Sequence, residues 1–279
     1  MDNYDRIDGG ANRQLALWTD SGLLDRQLAL WTTDSPAVQD DSAADAPGAT
    51  VLTLPLPRPN AGRTPAIELA RRLATAPGLV RPGASRWDDS RTPIHPLSLE
   101  NAFADPVLLR DLGARGARFA RELGVDVVVG AETAGVPLAA SVALAGGLPF
   151  AFVRKPGYRG HEVDEPPVRG AQVAGRRVLL VDDAVASGAA VERFTAALAG
   201  AGAEVVGVFV LVDMREVAET VTPAAAALRT ESVSTYLQVL ELATADGVLD
   251  PTVHKLTVDA VVNRWAADDP RWDLLPAAA

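Results

Sequence analysis

The chain is predicted to fold as an α/β protein with a parallel sheet covered by helices on both faces. Two observations carry this expectation. Short runs of nearly uninterrupted Val and Leu alternate with helix-like segments between residues 125 and 212. Strands buried on both faces read this way, whereas half-exposed strands alternate apolar and polar residues. In addition, the loops richest in chemistry follow the carboxyl ends of those runs, where open parallel sheets bind their ligands.

Taken in order, residues 1 to 50 read as a loose tail rich in Asp, Ala, Ser and Pro. It carries RQLALWT at Arg13 and again at Arg26, two copies being too few for a solenoid. Each copy is either an amphipathic turn that docks on a surface or a duplication without a structural role. Residues 51 to 100 hold an expected short strand, TVLTLPL, then a helix from Thr64-Pro65 and a loop rich in Pro, Arg and Ser. Asp105-Pro106 has the form of an N-cap and first helical residue, opening a helix to about Glu122. Strands are expected at Val125–Gly130, Pro149–Val153, Arg177–Asp182 and Val205–Val212, with helices at Val136–Ala145 and Gly188–Ala201. A polar loop spans Lys155 to Gly175. Beyond Met214, TYLQVLELA and VHKLTVDAVVNRWA have three- and four-residue apolar spacing, so residues 214 to 279 are expected to be a helical extension. Core packing, a dimer contact, a lid or partner docking would each suit it.

Composition narrows the function. The absence of cysteine excludes disulfides, thiolate nucleophiles and Cys-ligated zinc. Only three scattered histidines are present, so a His-built metal site is not expected. No leader or membrane-length apolar run is apparent, and the expected location is the cytoplasm. A net charge of -10 argues against a nucleic-acid partner. Positive charge is nevertheless concentrated between Arg154 and Arg177, with six basic residues (Arg154, Lys155, Arg159, Arg169, Arg176, Arg177) against three acids. An acidic protein with one basic window suits a polyanionic small molecule.

The most informative segment is VLLVDDAVASGAA, residues 178 to 190. An apolar strand ends in two adjacent carboxylates, Asp182 and Asp183, and a small-residue loop leads into a helix. Paired carboxylates accept hydrogen bonds from vicinal ribose hydroxyls. The loop and the open N–H groups of the helix suit a phosphate. A phosphate-accepting receiver domain also has a VLLVDD-like strand, but needs an acceptor Asp some forty residues on, where this chain reads TPAAAALRT.

This segment resembles the PRPP-binding signature of type I phosphoribosyltransferases, and residues 95 to 213 follow that family's order of elements, most similar to the orotate enzymes. The resemblance implies a Rossmann-like parallel sheet at residues 101 to 213, with a hood over the base at 51 to 100. It implies Mg2+-dependent transfer of a phosphoribosyl group from PRPP to a small-molecule base by a homodimer, with the metal carried by PRPP. Asp182 and Asp183 would meet the ribose, and Ala186, Ser187, Gly188, Ala189 and Ala190 the 5'-phosphate. Glu132, Thr133, Ala134 and Gly135 would hold the pyrophosphate, with Arg154, Lys155 and Arg159 as catalytic cations and His161 on a flexible loop.

The pattern departs from the family in two places. The usual Lys-x-His-Gly order is absent around Arg159 and His161. Hydroxyl residues of the phosphate loop are reduced to Ser187, which implies weaker PRPP binding by about 1 kcal/mol per lost neutral hydrogen bond. The base is left open between orotate, a purine and an acceptor of specialised metabolism. A PRPP-sensing regulator without the chemistry, and an assembly protein working through the RQLALWT copies, are the alternative classes.

Overall fold

A computed structural model of the chain describes residues 66–81, 85–86, 93–94, 97–155, 167–266 and 269–274. The tail with its two RQLALWT copies, the TVLTLPL strand, Arg159 and His161 lie outside the described residues.

The elements follow in chain order. Helix α1 (Ala66–Ala74) precedes a two-residue antiparallel pair, β1 (Ser85–Arg86) and β2 (Pro93–Ile94). Then come α2 (Pro106–Leu123), β3 (Val127–Ala131), α3 (Gly135–Gly146), β4 (Phe150–Val153), β5 (Val168–Gly170), β6 (Arg177–Val185) and α4 (Ala189–Gly200). The chain continues through β7 (Glu204–Asp213), α5 (Pro223–Ala227), β8 (Thr230–Thr235), α6 (Tyr236–Ala245) and α7 (Pro251–Val262).

Local chemistry accounts for α2. Asp105 caps it, its Oδ1 accepting from Val107 N at 2.8 Å and Leu108 N at 3.1 Å, and Pro106 occupies the first turn, where no N–H donor is needed. Its buried face, from Leu108 and Leu112 to Phe119 and Ala120, lies against the sheet and α3.

The larger sheet has the order β5-β4-β3-β6-β7-β8, with β4, β3, β6, β7 and β8 parallel. Its continuous apolar runs are explained by two separate cores. Val128, Leu179, Val181, Phe209 and Leu211 face the layer that includes α2, α3 and α6. Val127, Val129, Leu180, Val208 and Val210 face the layer of α4. Alternate residues therefore point into opposite apolar layers, and neither register of the strand is polar.

Two edge strands correct the sequence reading. Within the expected helical extension, Thr230–Thr235 is a strand parallel to β7, paired from Val208↔Thr230 to Asp213↔Thr235. Its sequence TESVST is only partly buried, as suits an edge strand, so it lacks the apolar run by which the central strands are read. Val168–Gly170, in the expected polar loop, pairs antiparallel with β4 at the opposite edge. The extension packs into the core. Tyr236, Val239, Leu240 and Ala243 of α6 are buried in one core with Leu69 and Leu73 of α1. Among the described residues, no helix is long and apolar enough to cross a membrane.

Candidate active site

The sheet reverses its winding at β3. From there the chain goes through α3 to β4 on one side, then returns to β6 on the other. Such a switch point opens a crevice between the carboxyl ends of the two strands. Pairing of β3 with β6 stops at Gly130↔Val181, while pairing of β6 with β7 runs on to Val185↔Asp213. Residues 182 to 185 thus have one unpaired edge, and Asp182 and Asp183 sit on it, inside the strand rather than just past its end.

The two carboxylates satisfy that edge locally. Asp182 Oδ1 accepts from Asp183 N at 2.9 Å, and Asp183 Oδ1 accepts from Ala184 N at 2.8 Å. Burial pushes the Asp182 carboxyl well above the usual carboxylate range, and the neighbouring charge of Asp183 pushes it further. Burial also raises Asp183, outweighing the N–H bonds it receives. Groups that donate hydrogen bonds, such as a pair of hydroxyls, would restore the charged form of both.

These acids lie in a cleft of about 750 Å3, which Glu132, Thr133, Ala134, Lys155 and the loop 184–190 also line. Gly135 does not line it, serving instead as the close contact that seats the preceding loop. A Cβ there would stand 2.3 Å from Val181 O and 2.9 Å from Asp182 Cα. The Glu132–Thr133 peptide is cis, and Glu132 Oε2 accepts from Lys155 N at 3.0 Å, joining the ends of β3 and β4. Arg154 is not among the lining residues. Its N–H bonds to Pro167 O, on the side of β5, and consecutive residues at a strand end diverge. Sequence reasoning grouped it with Lys155; the structure separates them.

Helix α4 begins at the cleft without a side-chain cap. Gly188 holds the N-cap position at φ 81°, and Ser187 Oγ accepts only weakly from Ala189 N at 3.4 Å. The first-turn N–H groups are therefore free to serve an anion. Gly188 is also sterically required, since a Cβ would meet the Ala225 methyl at 2.2 Å.

Two cations of the cleft escaped the sequence reading, Arg193 on α4 and Arg264 just beyond α7. Arg193 follows the phosphate loop by less than one helical turn, which was a usable signal. Arg264 had none, because only tertiary packing brings the chain's end to the cleft.

A further wall, residues 217 to 220, follows β7. Arg215 fixes its base, donating from Nη2 to Asp213 Oδ2 at 2.6 Å and from Nη1 to Ala225 O at 2.9 Å. Burial pushes Asp213 up, but the Arg215 side chain and backbone N–H together hold it below the ordinary carboxylate value. A depressed carboxylate contributes stability that is present above its unfolded pKa and lost as pH falls through its folded one. Arg215→Ala is expected to speed amide hydrogen exchange at residues 217 to 220 near pH 7, and the wild type should show the same loosening only below about pH 4.

Comparison with known proteins agrees with this geometry. Residues 115–234 match the phosphoribosyl transferase domain. Over 156 residues the chain is 34% identical to orotate phosphoribosyltransferase of Pyrococcus furiosus, covering 54% of this chain and 81% of that protein. It is 29% identical over 131 residues to hypoxanthine/guanine phosphoribosyltransferase of Methanococcus vannielii, covering 43% of this chain and 70% of that protein. In fold it is similar to UMP synthase of Leishmania donovani, with a TM-score of 0.60 and 22% identity, over 73% of this chain and 43% of that one. The matched domain begins within α2 and ends in β8, so it contains the switch point with Asp182, Asp183 and the loops 132–135 and 184–190; the chain belongs to the phosphoribosyltransferases and is most similar to the orotate enzymes among them.

Proposed function

We propose that the chain transfers the 5-phosphoribosyl group of PRPP to a ring nitrogen of a base, with an orotate-like acceptor as the first choice. The observation that carries this is the Asp182-Asp183 pair on a free strand edge, between the 132–135 loop and the uncapped start of α4. The three features suit ribose hydroxyls, a pyrophosphate and a 5'-phosphate in that order. A cleft of about 750 Å3 lies within the range of about 300 to 1,000 Å3 usual for small-ligand sites, enough for a ribose diphosphate ester and a base.

In the reaction, the bond from C1' to the pyrophosphate oxygen breaks and the electron pair leaves with the pyrophosphate. A ring nitrogen of the base attacks C1' from the opposite face, and its proton passes to solvent. Asp182 and Asp183 hold the ribose and stabilise positive charge developing at C1'. The N–H groups of loop 132–135 and the ammonium of Lys155 receive the growing charge on pyrophosphate. Arg159 and His161, beyond Lys155 in the sequence, are proposed to add to this, with Arg154 in support.

Among the described residues no cluster of three or more Asp, Glu or His is arranged to hold a metal ion. The oxygen-only donors suit Mg2+ shared between one or two carboxylates and substrate phosphates, so it would enter with PRPP beside Asp182 and Asp183. When bound it neutralises charge on the leaving pyrophosphate.

The test is pyrophosphate release from Mg-PRPP with orotate, hypoxanthine, guanine and adenine in turn, with mass spectrometry of the nucleotide formed. A product with one of them establishes the transfer and names the acceptor. No product with any base, from a chain shown by calorimetry to bind PRPP, rejects transfer to these acceptors.

A further inference from the structure

We propose that Arg264 binds an anionic group of one of the two substrates, so that the C-terminal segment, outside the matched domain, completes the cleft. The inference rests on the transfer reading for the identity of those substrates.

Val261, Arg264, Trp265 and Ala266 line the same cavity as Asp182, Asp183 and Lys155. Arg264 is the only non-glycine residue with a positive φ among the described residues, at 50°. It directly follows Asn263, the C-cap of α7. That position favours glycine, because a Cβ in the left-handed region crowds the following carbonyl. Glycine would therefore serve the backbone better than arginine. An outlier of this kind beside a cleft points to a role for the side chain.

The residue is also held in place. Trp265 is 2% exposed, its N–H bonds to Ala260 O at 3.0 Å, and its Nε1 donates to Asp259 Oδ2 at 3.1 Å. The Arg271 guanidinium lies 4.1 Å from the Trp265 ring centroid and pairs with Asp269 at 2.7 Å. The indole thus anchors the backbone immediately after Arg264.

Its charge, finally, is unspent. Arg71, Arg72, Arg115, Arg177, Arg215 and Arg271 each pair with a carboxylate. Arg264 has no such partner among the described residues, in a chain with 36 acids and 26 basic residues. A planar guanidinium binds carboxylate or phosphate oxygens in pairs, and either is available in this reaction.

Arg264→Gly separates the side chain from the backbone, because it relieves the left-handed conformation while removing the charge. The expected variant melts at or above the wild-type temperature, yet the KM of one substrate rises roughly ten- to a hundredfold, as loss of a charged hydrogen bond implies. Arg264→Lys should recover part of that. A rise confined to PRPP, with weaker binding of inorganic pyrophosphate or phosphate, assigns a phosphate group. A rise confined to orotate, with hypoxanthine unaffected, assigns the acceptor carboxylate. Unchanged constants in both variants overturn the proposal and leave the transfer reading standing. Should the wild type turn over no base, calorimetry of PRPP, pyrophosphate and orotate on the same proteins still decides it. Equal affinities of wild type and variants for all three would then overturn it.

Discussion

Asp182→Asn is expected to raise the melting temperature of the free protein at pH 7 to 8 and to slow nucleotide formation from PRPP about a hundredfold or more. The two effects have one cause. Burial, and then the charge of Asp183, hold the Asp182 carboxyl above its ordinary value, so the folded chain keeps its proton to higher pH than the unfolded chain does. Stability is then full below the unfolded pKa of about 3.9, falls as pH rises toward the raised folded value, and stays reduced above it. Asparagine never ionises, and its Oδ1 can still accept from Asp183 N, a bond of 2.9 Å in the wild type. The gain appears as a higher melting temperature of the variant wherever the wild-type carboxylate is charged. Activity should fall by a factor of about 100 or more, because a neutral amide neither binds the ribose hydroxyls as strongly nor opposes positive charge at C1'. Melting curves between pH 5 and 9 are the measurement. The wild type should lose ground to the variant as pH rises, and a variant that melts below the wild type at pH 8 would remove the electrostatic explanation.

The parts of the molecule visible in the sequence are those whose chemistry is local. Asp105-Pro106 announces α2 because a cap and an N1 proline act within one turn. VLLVDD announces β6 and its acids because a strand buried on both faces has no polar register. Even there the strand runs three residues past Asp182, since its pairing with β7 outlasts its pairing with β3. Edge strand β8 was hidden for the complementary reason. Its stability comes from ladder bonds to β7, and TESVST shows no periodicity strong enough to displace the helical pattern that follows. Arg264 and Trp265 lie farthest from any local signal. Only the packing of α6 and α7 onto the first core brings them to the cleft, and the spacing of VHKLTVDAVVNRWA describes a helix equally well without it.

The same distinction sets the second large effect. Gly135→Ala is expected to destabilise the protein by about 1–3 kcal/mol and to lower PRPP affinity far more than that loss alone explains. A methyl at this position would stand 2.3 Å from Val181 O, an atom of the central strand, and 2.9 Å from Asp182 Cα. Neither is the end of a flexible side chain, so relief requires the 132–135 loop to lift from β6 or the strand to shift. Either movement displaces the proposed pyrophosphate donors relative to the carboxylates they must act with, and misplacement of about 1 Å costs roughly a hundredfold in rate. Gly200→Ala is the matching control. It lies at the last position of α4, with nothing within 4 Å of its added methyl, and should leave both stability and binding unchanged or slightly improved. Thermal melts paired with calorimetry of PRPP binding compare the two. If Gly135→Ala melts and binds as Gly200→Ala does, the strand and loop are not in the close contact that sets the spacing of the site.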